Sequence, residues 1–205
     1  MGGQLRPEMA IAHFETIAAA TDLPLIVFQY PMATGLGYPL ETLLRLVDAV
    51  PSITAIKDWS NDVPAHERHI RTLQALPRPV TVLTTHSAWL MASLTLGCDG
   101  LLSGAGSVVA DLQVALFEAV GAKDLATAQH FNDRLYPLMQ AFYAPPFLDM
   151  HNRMKECLVM LGRLERAVVR PPLCRLSDEE RARLRTALHE AGLLGHVGEP
   201  AQAAE

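Results

Sequence analysis

Apolar positions near the start of the chain recur at helical spacing. Ile11, Phe14, Ile17 and Ala18 follow Pro7, and proline suits the first turn of a helix, so the pattern predicts a helix opening there. Asp22-Leu23-Pro24 breaks it. Leu25-Ile26-Val27-Phe28 is wholly apolar, as a strand buried on both faces would be. A second helix is predicted from Pro39 to Val50, ended by Pro51. The next strand is Ile53-Thr54-Ala55-Ile56-Lys57, followed by a helix over Val63 to Leu76. Val80 to Thr84 is a third strand, with a helix from Ser87 to Leu96 behind it. Gly100 to Ser103 is the fourth, and Gly104-Ala105-Gly106-Ser107 leads into a helix near Val108.

Strands alternating with helices imply parallel pairing through right-handed crossovers. The repeat of roughly 20 to 30 residues is close to the ~31 per unit of an eight-unit barrel. Four such units are present. Beyond Lys123 the pattern is helical throughout: Leu125 to Phe142, Met150 to Leu161, and a last helix opened by Ser177 with Glu180 three residues on, a capping box. Pro145-Pro146 and Pro171-Pro172 punctuate these helices. The expected organisation is a partial barrel domain over 1–122, a helical region over 123–194 and a frayed tail over 195–205.

Composition narrows the function classes. Half of the 205 residues are hydrophobic and 19% are charged, which fits a globular domain with a substantial core. No apolar run approaches the roughly 20 residues that cross a bilayer, and the N-terminus lacks the order of a signal peptide. A cytoplasmic protein is the expectation, with no membrane partner. The net charge of −5 argues against nucleic acid, which requires a basic face. Cys98, Cys157 and Cys174 form no Cys-x-x-Cys pair, so neither a disulfide scaffold nor structural zinc is expected. The histidines are scattered. His66 and His69 read as a solvated helix face, and no metal site is expected. Arg181, Arg183 and Arg185, interleaved with acidic residues, read as a solvated helix too.

In parallel α/β folds chemistry gathers at the carboxyl ends of the strands. Those ends are Phe28-Gln29-Tyr30-Pro31, Lys57-Asp58-Trp59, Thr84-Thr85-His86 and Ser103-Gly104-Ala105-Gly106. Lys57 stands out. Lysine occurs otherwise only at Lys123 and Lys155, in a chain with 17 lysines and arginines together. Arginine stays protonated, whereas a lysine in an apolar site can lose its proton and attack a carbonyl. Alternation puts Ile53, Ala55 and Lys57 on one strand face. The plainer alternative is a lysine whose stem packs while its amine reaches water. The Ser103–Ser107 turn could hold an anion at a helix start, although a plain tight turn accounts for it as well. Phe142, Tyr143 and Phe147 read as helix-packing aromatics.

Two segments together resemble a known family. Ile26-Val-Phe-Gln-Tyr-Pro-Met-Ala-Thr-Gly35 resembles the fifth-strand segment of the dihydrodipicolinate synthase and N-acetylneuraminate lyase family of Schiff-base aldolases. Ile53-Thr-Ala-Ile-Lys-Asp-Trp-Ser-Asn-Asp62 resembles its sixth-strand segment, at matching spacing. The likeness runs from about Pro7 to Leu194. It implies an α/β fold: the second half of a (β/α)8 TIM barrel, four βα units, followed by a C-terminal helical segment. It implies a lyase in which Lys57 forms a Schiff base with pyruvate or a related 2-keto acid, with no metal or organic cofactor. It places Phe28, Gln29, Thr34, Leu102 and Ser103 at the substrate.

The sequence also departs from that family. Its proton-relaying tyrosine aligns with Phe28, which has no hydroxyl; Tyr30, two residues on, either replaces it or packs beside Pro31. Ala33 stands where dihydrodipicolinate synthases carry a substrate-binding arginine, which disfavours that synthesis. Set against that family, four of eight βα units are expected to be missing, through an internal methionine taken as a start or a natural or engineered fragment. A half-barrel would expose strand edges, so homo-oligomers or aggregation are expected. The competing expectation is a catalytically silent half-barrel serving as an assembly or regulatory module.

Overall fold

A computed structural model describes residues 6–194; the tail expected over 195–205 lies outside the described residues. The chain divides into two compact units, Met1–Ser103 and Gly104–Glu205.

The first unit alternates helix and strand. Helix α1 (Pro7–Ala18) opens on its proline. Strand β1 (Leu25–Gln29), α2 (Leu40–Ala49), β2 (Ile53–Asp58), α3 (Val63–Leu73), β3 (Thr81–Thr84), α4 (Leu90–Thr95) and β4 (Gly100–Leu101) follow. The four strands form one sheet in the order β1-β2-β3-β4, and every neighbouring pair is parallel. β1 and β4 are its edges among the described residues. The expected helix from Ser87 begins instead as a 3-10 turn, Ser87–Trp89, before α4. The fourth strand is shorter than expected, because Leu102 has already left the ladder after bonding to the Thr84 carbonyl.

The two faces of this sheet differ. Val27, Ile56 and Val82 stand in register across three strands and are fully buried. Burial of each such side chain stabilises by about 1.5–3 kcal/mol. Leu43, Leu46 and Val47 of α2, Ile70 and Leu73 of α3 and Leu90 and Leu94 of α4 are buried as well. The next row, Phe28, Lys57 and Leu83, also stands in register but remains partly exposed. The register skips Thr54: Leu25 faces Ile53, whereas Ile26 already faces Ala55.

The second unit is helical: α5 (Gly106–Gly121), α6 (Leu125–Phe142), α7 (Met150–Met160) and α8 (Asp178–Glu190). α5 packs on α6 and α7, and α8 packs on both of those. Asp124 caps α6 by accepting from the Thr127 amide, and Ser177 caps α8 by accepting from the Glu180 amide. Only that half of the expected capping box forms, because the Glu180 carboxylate pairs with Arg153. Phe142 is fully buried, and Tyr143 stacks on Phe147.

Arg153 organises the turn between α6 and α7. It is 3% exposed, yet it donates to the carbonyls of Phe142, Ala144, Pro145 and Pro146 and to Glu180 Oε1. A proline-rich turn leaves carbonyls with few backbone donors, and one guanidinium supplies five. Replacing Arg153 with leucine should destabilise the chain by about 3–5 kcal/mol, read as a lowered melting temperature. An unchanged melt would show that water satisfies those carbonyls equally well.

Candidate active site

The loop after β1 is built before any chemistry is placed on it. Gln29 is 1% exposed and registers with Asp58, on the opposite side of β1 from Phe28. Its amide donates to the Tyr38 carbonyl (2.9 Å) and accepts from the Tyr38 amide (3.0 Å). Gly37 lies against the same bend, where a Cβ would come within 2.5 Å of the Tyr30 carbonyl oxygen; only glycine fits. Thr34 closes the Met32–Thr34 turn by donating to the Pro31 carbonyl.

Lys57 emerges near the end of β2 against Phe28, whose ring packs in turn with Tyr30 and Trp59. Its amine lies 4.3 Å from the centre of the Phe28 ring. Tyr30 packs on Phe28 at 4.3 Å, and Trp59 stands 5.5 Å from Tyr30 and 6.3 Å from Phe28. Burial lowers the Lys57 pKa from its ordinary value, since a low-polarity setting disfavours the ammonium form. Phe28 is therefore in contact with both Lys57 and Tyr30. Gln29 is not among them, and its amide is committed to the loop. Leu102 is exposed, and the Ser103 hydroxyl lies 2.7 Å from that of Ser87. Lys155 donates to the Val168 carbonyl in the second unit.

On the other side of β2 lies a buried cluster that includes the two histidines expected on a solvated helix face. His66 and His69 are buried, not solvated. Both Nδ1 atoms meet one oxygen of Asp58, Oδ2, at 2.9 and 2.8 Å. The other oxygen accepts the Ser60 amide at 2.7 Å. His66 Nε2 lies 2.7 Å from Ser93 Oγ, which donates to Thr84 Oγ1. His86 Nδ1 reaches the same threonine oxygen at 3.1 Å, while its Nε2 accepts the Asn61 amide. That contact holds Asn61 at a φ of 52°. Trp89 stacks on His86 at 4.1 Å. The sequence signal was present but faint: an acidic residue at a strand end, then two histidines one helical turn apart.

The ligand atoms of Asp58, His66 and His86 lie within 4.8 Å of one another, a spacing that could hold a metal ion. Their nitrogens and oxygens are, however, already paired with one another and with Ser93, Thr84 and Asn61. These three side chains are thereby committed to a hydrogen-bonded network.

Comparison with known proteins agrees with this architecture. The model of the dihydrodipicolinate synthetase family matches residues 4–191. A 4-hydroxy-tetrahydrodipicolinate synthase of Acidobacterium capsulatum is 32% identical over 183 residues, 89% of this chain and 58% of that protein. An uncharacterised DapA-like lyase of Halobacterium salinarum is also 32% identical, over 90% of this chain and 58% of its own. A monomeric dihydrodipicolinate synthase variant shares the fold with a TM-score of 0.84 at 23% identity, covering 94% of this chain and 63% of that one. YagE, a protein of that family from Escherichia coli K12 solved with pyruvate, gives 0.83 at 27% identity, covering 93% and 63%. The chain thus spans about three fifths of the length of the relatives it matches.

The network carries a pH dependence of definite sign. Burial alone would raise the Asp58 pKa, but the hydrogen bonds from His66 and His69 outweigh it and hold the carboxyl well below the usual range. A depressed carboxyl stabilises fully above its unfolded value near 4, and that contribution is lost as pH falls below it. Burial lowers His86 to about 4 from 6.5. Its contribution, on the order of 3 kcal/mol, is complete above ~6.5 and is lost toward ~4. Melting temperature should therefore drop on acidification in two stages, and His86→Asn should remove the upper one. A melting temperature constant from neutral pH to ~4 would contradict the buried, neutral His86.

Proposed function

Because the chain belongs to the dihydrodipicolinate synthetase family, we propose that it is the second half of a (β/α)8 barrel whose Lys57 forms a Schiff base with pyruvate or a related 2-keto acid. The observation that carries this reading is the amine of Lys57 at the carboxyl end of β2, against the Phe28 ring, with its pKa lowered by burial. The unprotonated amine adds to the keto carbon, the carbinolamine hydroxyl takes up a proton and leaves as water, and the nitrogen keeps its own proton as a protonated imine. The imine then accepts the electron pair of the neighbouring carbon, released either by proton loss or by cleavage of a carbon–carbon bond. The enamine so formed can be reprotonated or can attack an aldehyde, so the same site serves lysis and condensation. YagE, solved with pyruvate and named for a proposed 2-dehydro-3-deoxy-D-gluconate aldolase activity, supports a 2-keto acid as the imine partner.

Proton transfer must differ from that of a site with a tyrosine at position 28. Phe28 offers no hydroxyl, whereas the Tyr30 ring packs directly on it, so Tyr30 is the candidate relay. Ala33, in the exposed turn beside it, supplies no charge for an acidic second substrate. Classical dihydrodipicolinate synthesis is accordingly not the reaction proposed. The reading of a silent assembly module is not favoured, because a family lysine with a lowered pKa stands at the strand end where chemistry is expected.

Incubation with pyruvate and borohydride should add a reduced keto-acid adduct at Lys57, located by mass spectrometry, and Lys57→Ala should abolish it. Labelling at Lys123 or Lys155 instead would remove the assignment. In protein that turns over, Tyr30→Phe should slow turnover by about 10²-fold or more while leaving the adduct intact. Unchanged turnover would make Tyr30 a packing residue and move the relay elsewhere.

A further inference from the structure

The Asp58 network has one open end, and it faces a cavity. His69 is 4% exposed and gives its Nδ1 proton to Asp58, which fixes the tautomer and leaves Nε2 as the accepting nitrogen of the neutral ring. That nitrogen has no hydrogen-bond partner among the described residues. His69 lines a cavity of about 630 Å³ at the ends of β1 and β2, bounded by Met32, Tyr38, Asn61, Asp62 and Arg68. Neither Lys57 nor Phe28 lines it. The cavity belongs to the Gln29–Asp58 face of the sheet, and the Schiff-base lysine to the other.

The lining groups describe an occupant. Arg68 neighbours His69 on α3, is exposed, and has no carboxylate partner among the described residues; Glu67, beside it, is engaged by Arg71. A guanidinium free to form two parallel bonds favours a carboxylate or a phosphate. Asp62 also lines the cavity, its Oδ1 accepting the Ala65 amide, and its charge disfavours a dianion. A monoanionic carboxylate fits better than a phosphate. The accepting Nε2 of His69 calls for a donor, and a hydroxyl is the small neutral group that supplies one. Burial keeps the Tyr38 phenol protonated by raising its pKa, so the same wall can donate in return.

We propose that this cavity binds a small hydroxy acid, with its carboxylate on Arg68 and a hydroxyl donating to His69 Nε2. Asp58 is the positioning residue, orienting the ring from behind as a carboxylate orients a catalytic imidazole. The site does not depend on imine chemistry, and its test reads binding alone.

D-gluconate serves as the probe, titrated calorimetrically into the 205-residue chain, with D-glucose and inorganic phosphate as counterparts at equal ionic strength. Gluconate should bind, and glucose, which lacks the carboxylate, should bind about tenfold more weakly or not at all. Arg68→Ala, at an exposed position that folding does not require, should cost about tenfold in gluconate affinity. Lys57→Ala should leave that affinity unchanged. Long-range proton–nitrogen NMR on the unsubstituted chain should show the His69 Nε2 resonance moving with gluconate, which avoids altering the buried ring. Absence of gluconate binding would overturn the proposal, as would equal binding of glucose or phosphate. So would unchanged affinity in Arg68→Ala, loss of affinity in Lys57→Ala, or a stationary His69 resonance.

Discussion

A buried carboxylate governs the upper end of this sheet. Asp58 is fully buried at the last residue of β2, where an unpaired charge would carry a penalty of several kcal/mol. The two imidazoles on one oxygen and the backbone amide on the other offset it. Each partner arrives from a different segment: Ser60 from the following loop, and His66 and His69 from the first turns of α3. Ser93 of α4 and Thr84 of β3 extend the same set of bonds. The ends of β2 and β3 and the helices behind them are thereby located by one charge. Lys57 precedes that charge by a single residue, so the site that fixes the strand also fixes the direction in which the lysine leaves it.

A strand sends successive side chains to opposite faces, and this sheet uses both. Asp58 turns toward the helices and builds structure; Lys57 turns the other way, against the Phe28 ring, where the proposed imine would form. β1 repeats the division, with Gln29 closing the loop through Tyr38 and Phe28 lying under the lysine amine. Adjacent residues in one short strand therefore answer to different constraints. Changes on the aromatic face can alter reactivity without disturbing the hydrogen bonds that hold the strand ends.

Much of the fold was legible because apolar runs and helical periodicity are local signals. Among the described residues, each of the four strands and eight α-helices falls within a few residues of its expected place, and Ser177 and Pro7 mark helix starts as their chemistry requires. Lys57 was legible for a related reason: lysine is scarce here, and it ends an apolar strand. His66 and His69 were not legible. α3 also carries Glu67, Arg68 and Arg71, and among such neighbours two histidines look solvated. Their burial is decided by Asp58, which lies outside the helix at the end of the preceding strand, and no periodicity within the helix reports it. The loop-holding bonds of Gln29 were not legible either, since nothing in the sequence shows that Tyr38 bends back to take up its amide.

The two tryptophans of the chain happen to divide between these faces. Trp59 stands with Tyr30 and with Phe28, the ring that the lysine amine meets, and Trp89 stacks on His86 at the edge of the buried network. Indole emission responds to nearby charge and to quenching by a protonated imidazole. The molecule thus carries a separate optical reporter for each side of the sheet. With one tryptophan replaced by phenylalanine, the remaining fluorescence would follow events at the lysine or at the histidines alone, in real time and without an added dye.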